Sequence, residues 1–199
     1  MSDAVKTQKR NLPLLATSDT STGRTYIVTG ANTGLGFEAA KHLASLGAAK
    51  VILAVRNLPA GETAKANIDA ACKINTDVVE AWPLDLSSYD SVKAFARRAI
   101  SELDRIDGLV ENAAVATMER TLAEGHIKPL TVNVLGTFLL AVLLLPKMRD
   151  DAARMGIVPH LVMVTSRAGF DVKEEWDMVK DDPLRKFEDE NIVPSILKT

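Results

Sequence analysis

Apolar positions follow two patterns along this chain: short continuous runs, and longer stretches with helical spacing. The runs predict buried strands at 25–29, 50–55, 78–84, 106–110 and 161–165. The helical spacing predicts helices at 35–46, 59–73, 130–148 and from a cap at Ser87 or Ser88 to about Asp104. Because strands and helices alternate, the pattern predicts an α/β fold built on a doubly wound parallel sheet of about five strands.

The pattern fades at both ends of the chain. Residues 1–23 are polar and without a hydrophobic period, which predicts a flexible N-terminal tail. The alternating pattern occupies 24–169 and predicts one domain. Residues 170–199 are charged and irregular and contain no sixth strand.

Composition narrows the functional classes. A net charge of −2 over 199 residues gives no electrostatic reason to expect nucleic acid or an anionic membrane as a partner. The longest apolar run, 134–145, is shorter than the roughly 20 residues of a membrane span and suits a buried core helix. A single cysteine, Cys72, agrees with a reducing compartment, so a soluble, cytoplasmic protein is expected. The three histidines have no metal-ligand spacing, and no metal is predicted.

The stretch Thr29-Gly30-Ala31-Asn32-Thr33-Gly34-Leu35-Gly36 is the most informative motif. It follows a predicted strand and opens a predicted helix, where backbone N–H groups bind a dinucleotide phosphate. Glycine is needed there because a Cβ would keep the diphosphate from the backbone. The predicted cofactor contacts in this turn are Gly30, Asn32, Thr33, Gly34, Leu35 and Gly36.

Together with Asn112-Ala113-Ala114 after the fourth strand and Thr165-Ser166 at the end of the fifth, this motif resembles the short-chain dehydrogenase/reductase family. The resemblance covers 25 to about 169 and is strongest to the retinol-dehydrogenase-like branch, many of whose fungal members belong to secondary-metabolite pathways. It implies a Rossmann fold, incomplete here, and a nicotinamide cofactor.

Three further residues are predicted to contact the cofactor. Arg56 ends the second strand, where NAD-preferring members carry an acid, so the resemblance implies NADP(H); a solvated strand-end arginine is the alternative. Asp85 resembles the family's aspartate near the adenine, or is simply an acid at a helix N-terminus. Asn112 resembles the family's cofactor-contacting asparagine. Glu111 and Ala114 depart from the family's Asn-Asn-Ala-Gly, and Glu111 is expected to bring negative charge near the diphosphate.

Ser166 resembles the family's catalytic serine, which hydrogen-bonds the substrate oxygen; a strand-end turn serine is the alternative. Asn133 resembles the asparagine that orders a water beside the catalytic lysine, or is a polar residue bonded inside a helix interface. The family's Tyr-x-x-x-Lys pair is absent, since the only tyrosines are Tyr26 and Tyr89. Substitution by Lys180 or His126 has no support in their spacing.

The missing pair predicts a C-terminally truncated member of the family. The fifth strand would then be an open edge, and association as a homo-oligomer or through that edge is expected. The predicted function is an NADP-dependent oxidoreductase interconverting a small-molecule ketone and a secondary alcohol. The alternative is a non-catalytic nucleotide-binding or partner-binding relic. A sugar-nucleotide epimerase or dehydratase is less compatible with the spacing of the glycine turn.

Overall fold

The computed structural model describes residues 15–74, 77–117, 119–166 and 173–186, and seven strands and seven helices occur within these ranges. The strands are β1 Thr25–Thr29, β2 Lys50–Val55, β3 Val79–Pro83, β4 Gly108–Glu111, β5 Leu122–Ala123, β6 His126–Ile127 and β7 His160–Met163. The helices are α1 Ser18–Ser21, α2 Gly34–Ser45, α3 Leu58–Cys72, α4 Tyr89–Glu102, α5 Lys128–Met155, α6 Lys173–Val179 and α7 Pro183–Lys186.

Five of the strands form one parallel sheet in the order β3-β2-β1-β4-β7. Successive residues of β1 face opposite sides: Ile27 packs with Phe95 of α4 and Leu140 of α5, whereas Val28 packs with Ile68 of α3. Because helices cover both faces of the central strands, β1 and β2 are almost entirely buried, whereas β7 at the edge is largely exposed. The predicted fold class, a parallel sheet of five strands flanked by helices, is confirmed.

Local sequence explains where the helices begin. At α3, the Asn57 side chain accepts a hydrogen bond from the Ala60 N–H over 3.2 Å, with Pro59 in the first turn. At α4, Ser88 Oγ accepts from the Ser91 N–H over 3.3 Å, which identifies Ser88 rather than Ser87 as the cap. The buried face of α4 is formed by Val92, Phe95, Ala96 and Ala99.

Several predicted boundaries were wrong, including the start of the fourth strand, which is Gly108, and both ends of the third, which spans Val79–Pro83. The fourth strand was predicted to end at Val110, before the ionisable Glu111. It includes Glu111, because the Val164 N–H donates a backbone hydrogen bond to the Glu111 carbonyl. The fifth sheet strand ends at Met163. The helix predicted for 130–148 spans Lys128–Met155, because Asp151 in its polar end is buried and accepts a hydrogen bond from the Ile106 N–H over 3.0 Å.

Other elements were not predicted. The hairpin β5–β6 turns through Glu124 and Gly125, both with positive φ, as in a type I′ turn. Part of the segment predicted to be irregular forms α6 and α7. Within the predicted tail, α1 forms one turn whose Ser21 is buried. Residues 1–14, 170–172 and 187–199 of the two predicted end segments lie outside the described residues.

Helix α5 combines two features. It contains a π-helical turn, Thr131–Gly136, with five-residue rather than four-residue spacing. It is also long and apolar enough to cross a membrane, and 44% of its most apolar window is buried within the fold. Partial burial against the sheet is the ordinary property of a core helix, so this feature alone is weak evidence for a membrane span.

Candidate functional site

A cavity of about 350 Å³ lies at the carboxyl ends of β1, β2, β3 and β4, near the lower end of the roughly 300–1,000 Å³ usual for ligand pockets. Ligands of open parallel sheets bind at this edge. Six predicted cofactor contacts line it together: Gly30, Asn32, Thr33, Arg56, Asp85 and Asn112.

The glycine turn depends on missing side chains. Gly30 has φ +66°, and a Cβ there would lie 2.9 Å from the Ala113 Cα. At Gly36, a Cβ would lie 2.5 Å from Asn112 Nδ2 and 2.6 Å from the Gly30 carbonyl oxygen. Gly34, at φ +60°, has no heavy atom within 4 Å of where its Cβ would be. The turn is therefore packed tightly against β4 behind Gly30 and Gly36 but open at Gly34.

The open side of the turn coincides with the N-terminus of α2. The Thr33 backbone caps this twelve-residue helix in an extended conformation, but its side chain makes no capping hydrogen bond. The first-turn N–H groups of a helix have no intrahelical partners and carry partial positive charge. Leu35 is 76% exposed and does not cover them. This arrangement presents free donors to an anion.

Asn112 and Thr29 hold the end of β4 against the end of β1. Thr29 Oγ1 accepts hydrogen bonds from the N–H groups of Asn112 and Ala113, both over 3.0 Å. Asn112 Nδ2 donates to the Thr29 carbonyl over 3.0 Å and to the Gly30 carbonyl over 3.5 Å. Both donors of this amide therefore serve to support the turn on which a ligand would lie.

Arg56 and Asp85 lie at the ends of neighbouring strands. Arg56 follows β2 directly and is exposed at the cavity wall, where its guanidinium is accessible to an anion. Asp85 Oδ1 accepts hydrogen bonds from the Ser87 N–H over 2.9 Å and from Ser87 Oγ over 2.6 Å. The Asp85 side chain thus organises the turn before α4 while also lining the cavity.

Asn133 lies in the π-helical turn and is tied to the loop that follows β4. Its Oδ1 accepts a hydrogen bond from the Val115 N–H over 2.8 Å, and its Nδ2 donates to the Val115 carbonyl over 2.9 Å. Val115 itself lines the cavity. In this structure the Asn133 side chain positions a wall of the cavity, and its catalytic role stays a prediction.

The predicted catalytic serine is farther from this cavity. Ser166 lies three residues beyond the end of β7, is exposed, and is not among the described residues that line the cavity. Neither tyrosine lines it: Tyr26 of β1 packs against Gly108 of β4, and Tyr89 begins α4. Among the described residues, the cavity wall therefore includes six of the nine predicted nucleotide contacts, but not Gly34, Leu35 or Gly36 and not a serine–tyrosine pair.

Glu111 does not line the cavity, contrary to the expectation of negative charge near the diphosphate. The residue is 4% exposed, and neither carboxyl oxygen has a hydrogen-bond partner among the described residues. Burial raises the pKa of Glu111 to about 8, so the side chain is neutral at pH 7. Ala114, the other departure from the family pattern, does line the cavity.

Sequence reasoning missed the apolar part of the wall, formed by Ala54, Leu84, Leu86, Val115 and Val132. The first three lie at or beside the ends of β2 and β3, so the rule that ligands bind at strand ends was an available signal. Val132 is brought in by the π-helical turn, which has no evident sequence signal. Among the described residues, no group of ligating side chains suits a metal ion.

Known proteins resemble this chain over most of its length. The family profile described as short chain dehydrogenase matches residues 24–178. The short chain dehydrogenase/reductase dmxR8 of Cryptosporiopsis sp. (strain 8999) is 46% identical over 144 residues, 72% of this chain and 44% of that protein. The short chain dehydrogenase sol3 of Alternaria solani is 46% identical over 149 residues, 74% of this chain and 51% of that protein. The chain thus spans about half the length of these curated relatives.

Comparison with solved structures also finds short-chain oxidoreductases. A metagenomic short-chain oxidoreductase in complex with NADP superposes with a TM-score of 0.62 at 30% identity, covering 75% of this chain and 65% of that one.

Proposed function

Because the chain belongs to the short-chain dehydrogenase/reductase family of oxidoreductases, we propose that it binds NADP(H) and interconverts a ketone and a secondary alcohol. One observation carries the proposal: Gly30, Asn32 and Thr33 of the glycine turn line the same cavity as Arg56. The turn offers backbone donors to a diphosphate, and a guanidinium at the end of β2 suits a 2′-phosphate. The relative with bound NADP supports the same cofactor.

The residues present fit this cofactor. Gly34 leaves open space beside the helix N-terminus, and the Asn112 amide supports the turn from behind. When bound, NADP(H) supplies or accepts a hydride. We assign Arg56 and the α2 N-terminus to phosphate binding, and Asn133 to positioning the wall at Val115. Ser166 is proposed to donate a hydrogen bond to the substrate oxygen, as its family counterpart does.

The alternative is nucleotide binding without turnover. It is favoured by Tyr26 and Tyr89, neither of which lines the cavity. Proton transfer by a positioned group contributes about 10²–10⁴ in rate, so a chain without such a group would be a poor catalyst. Reduction of a carbonyl substrate by the purified chain, abolished in Ser166→Ala, would exclude this alternative.

Gly34 and Gly125 provide a matched test of cofactor binding. Both have positive φ, and a Cβ at either position would meet nothing within 4 Å. Gly34→Ala and Gly125→Ala therefore introduce the same backbone strain, of about 1–2 kcal/mol, but only Gly34 lies in the proposed diphosphate site. We expect NADPH affinity, measured by fluorescence titration, to fall at least tenfold in Gly34→Ala and to stay unchanged in Gly125→Ala. Equal affinities in both variants would contradict the proposal.

We further propose a role in secondary-metabolite biosynthesis in the cytoplasm, supported by the resemblance to the fungal branch of the family. Deletion of the gene should abolish one metabolite, and a fluorescent fusion of the protein should be found in the cytoplasm.

Association as a homo-oligomer is proposed from exposed apolar side chains on α5 and β7.

A further inference from the structure

We propose that Glu111 is a positioning residue of the nucleotide site: the end of β4 stays in place beneath the glycine turn only while the buried Glu111 carboxyl is protonated, and dinucleotide binding is coupled to retention of that proton. The inference builds on the proposed NADP(H) binding. It deepens that function by assigning it a pH-dependent control that the family's asparagine at this position does not provide.

The position of Glu111 in the sheet carries the proposal. Glu111 is the last residue of β4 and pairs with Met163 of β7. The next residue, Asn112, donates to the Thr29 and Gly30 carbonyls and lines the cavity. A change in the placement of Glu111 is therefore passed directly to the residue that supports the glycine turn.

The Glu111 carboxyl has no local means of stabilising a charge. The residue is 4% exposed, and both oxygens lack hydrogen-bond partners among the described residues. A buried carboxylate without a partner is strongly unfavourable, so the group keeps its proton. Ionisation would draw the carboxyl toward water and pull the end of β4 with it.

The elements around Glu111 place no charge near enough to alter the protonation of its carboxyl. Side-chain alternation places Glu111 on the sheet face of Leu109, which α5 covers through uncharged residues such as Leu140. Met163 of β7 pairs with Glu111, and Thr29 of β1 accepts a hydrogen bond from the N–H of the next residue, Asn112; neither side chain titrates. Burial alone raises its pKa, and no contribution comes from the other titratable groups of α5 and β7: Lys128, Lys147, Arg149, Asp150, Asp151, Arg154 and His160.

The coupling to binding follows from linkage. A bound diphosphate adds negative charge near β4, and like charges favour the protonated form of a carboxyl group. The pKa of Glu111 would therefore be higher in the complex than the value of about 8 in the free chain. By reciprocity, releasing the proton weakens binding, whereas below pH 8 affinity does not depend on this group.

The test is NADPH titration of the whole chain at pH 7.0 and pH 9.5, with wild type, Glu111→Gln and Asp107→Asn. Asp107 is a buried acid at the opposite end of β4, bonded to Arg105 and to the Thr25 N–H. We expect about tenfold weaker binding at pH 9.5 in wild type and in Asp107→Asn, and the same affinity at both pH values in Glu111→Gln. Glu111→Met, also neutral, replaces Glu111→Gln if the latter fails to fold.

Calorimetry at pH 8.5 in two buffers of different ionisation enthalpy supplies a second readout. Wild type is expected to take up a fraction of a proton on binding NADPH, and Glu111→Gln is not. The proposal is overturned if Glu111→Gln keeps the wild-type pH dependence, or if wild type takes up no proton. Absence of NADPH binding in every variant at both pH values would instead overturn the proposed function, and this inference with it.

Discussion

The amide of Asn112 donates a hydrogen bond to the Thr29 carbonyl over 3.0 Å, joining the end of β4 to the start of the glycine turn. A Cβ on residue 36 would lie only 2.5 Å from Nδ2 of the same amide, too close for any side chain. One side chain thus links two strands and also requires a glycine in the helix that follows. This packing leaves the far side of the turn free for a ligand.

Gly36→Ala should disturb this packing. The new methyl would meet Asn112 Nδ2 and, at 2.6 Å, the Gly30 carbonyl oxygen, and backbone cannot move aside at low cost. We expect a loss of roughly 1–3 kcal/mol in unfolding free energy and at least tenfold weaker NADPH binding. Urea denaturation and fluorescence titration measure the two effects. Glu38→Ala, at an exposed site on α2, should change neither, and wild-type stability in Gly36→Ala would contradict the contact.

Arg56→Gln should separate the two nicotinamide cofactors. Removing the guanidinium takes away a charged hydrogen bond worth about 1.5–3 kcal/mol, which corresponds to a roughly 10- to 100-fold loss of NADPH affinity. NADH has no 2′-phosphate, so its affinity should hardly change. Arg97→Gln, on the exposed face of α4, serves as the control. Equal losses for NADPH and NADH would show that Arg56 does not read the 2′-phosphate.

Asn133→Ala should loosen the loop that follows β4. Its side chain makes two hydrogen bonds to Val115, so we expect a loss of about 1–3 kcal/mol and faster hydrogen exchange at the Val115 amide. Asn57→Ala removes the α3 cap, at a cost of about 1 kcal/mol, and should leave that amide unaffected. An unchanged hydrogen-exchange rate at the Val115 amide in Asn133→Ala would show that the Asn133 side chain does not stabilise this loop.

Glu111 makes stability depend on pH. Its pKa is raised from 4.5 to about 8 by burial, so the folded state holds a proton that the unfolded state releases above pH 4.5. The stabilisation is complete below pH 4.5, decreases as the pH rises from 4.5 to 8, and is lost above pH 8, a change on the order of 5 kcal/mol. Melting temperatures between pH 5 and pH 9 should fall in wild type and remain flatter in Glu111→Gln. A parallel decline in both proteins would mean that other groups are responsible.

Exposed apolar side chains on α5 predict self-association. Val134, Phe138, Val142 and Leu145 recur at helical spacing on one face and are between 41% and 64% exposed. We expect concentration-dependent oligomers in sedimentation experiments and a shift to monomer in Val142→Glu. Val158→Glu introduces the same charge at a residue that is 71% exposed but lies beyond α5, and should leave association intact. A monomeric wild type would contradict the prediction.

The sequence alone was sufficient for the α/β class and for β1 and β2, whose bounds agree with the prediction. Their apolar runs have only one stable placement, buried on both faces of a parallel sheet. Six of the nine predicted cofactor contacts line the cavity, because strand ends and a glycine turn meet at one edge of such a sheet. The other three, Gly34, Leu35 and Gly36, are not among the described residues that line it. These features depend on local pattern and on topology that few folds satisfy.

Tertiary structure decided what local pattern leaves open. Glu111 belongs to a strand because its neighbours supply the ladder, and its side chain is neutral because those neighbours exclude water. Asp151 continues α5 through a polar stretch because it meets the Ile106 N–H across 45 residues of sequence. Asn133 bonds to Val115 rather than to solvent for the same reason. In each case a polar side chain takes its role from a partner, or from the lack of one, that is distant along the chain.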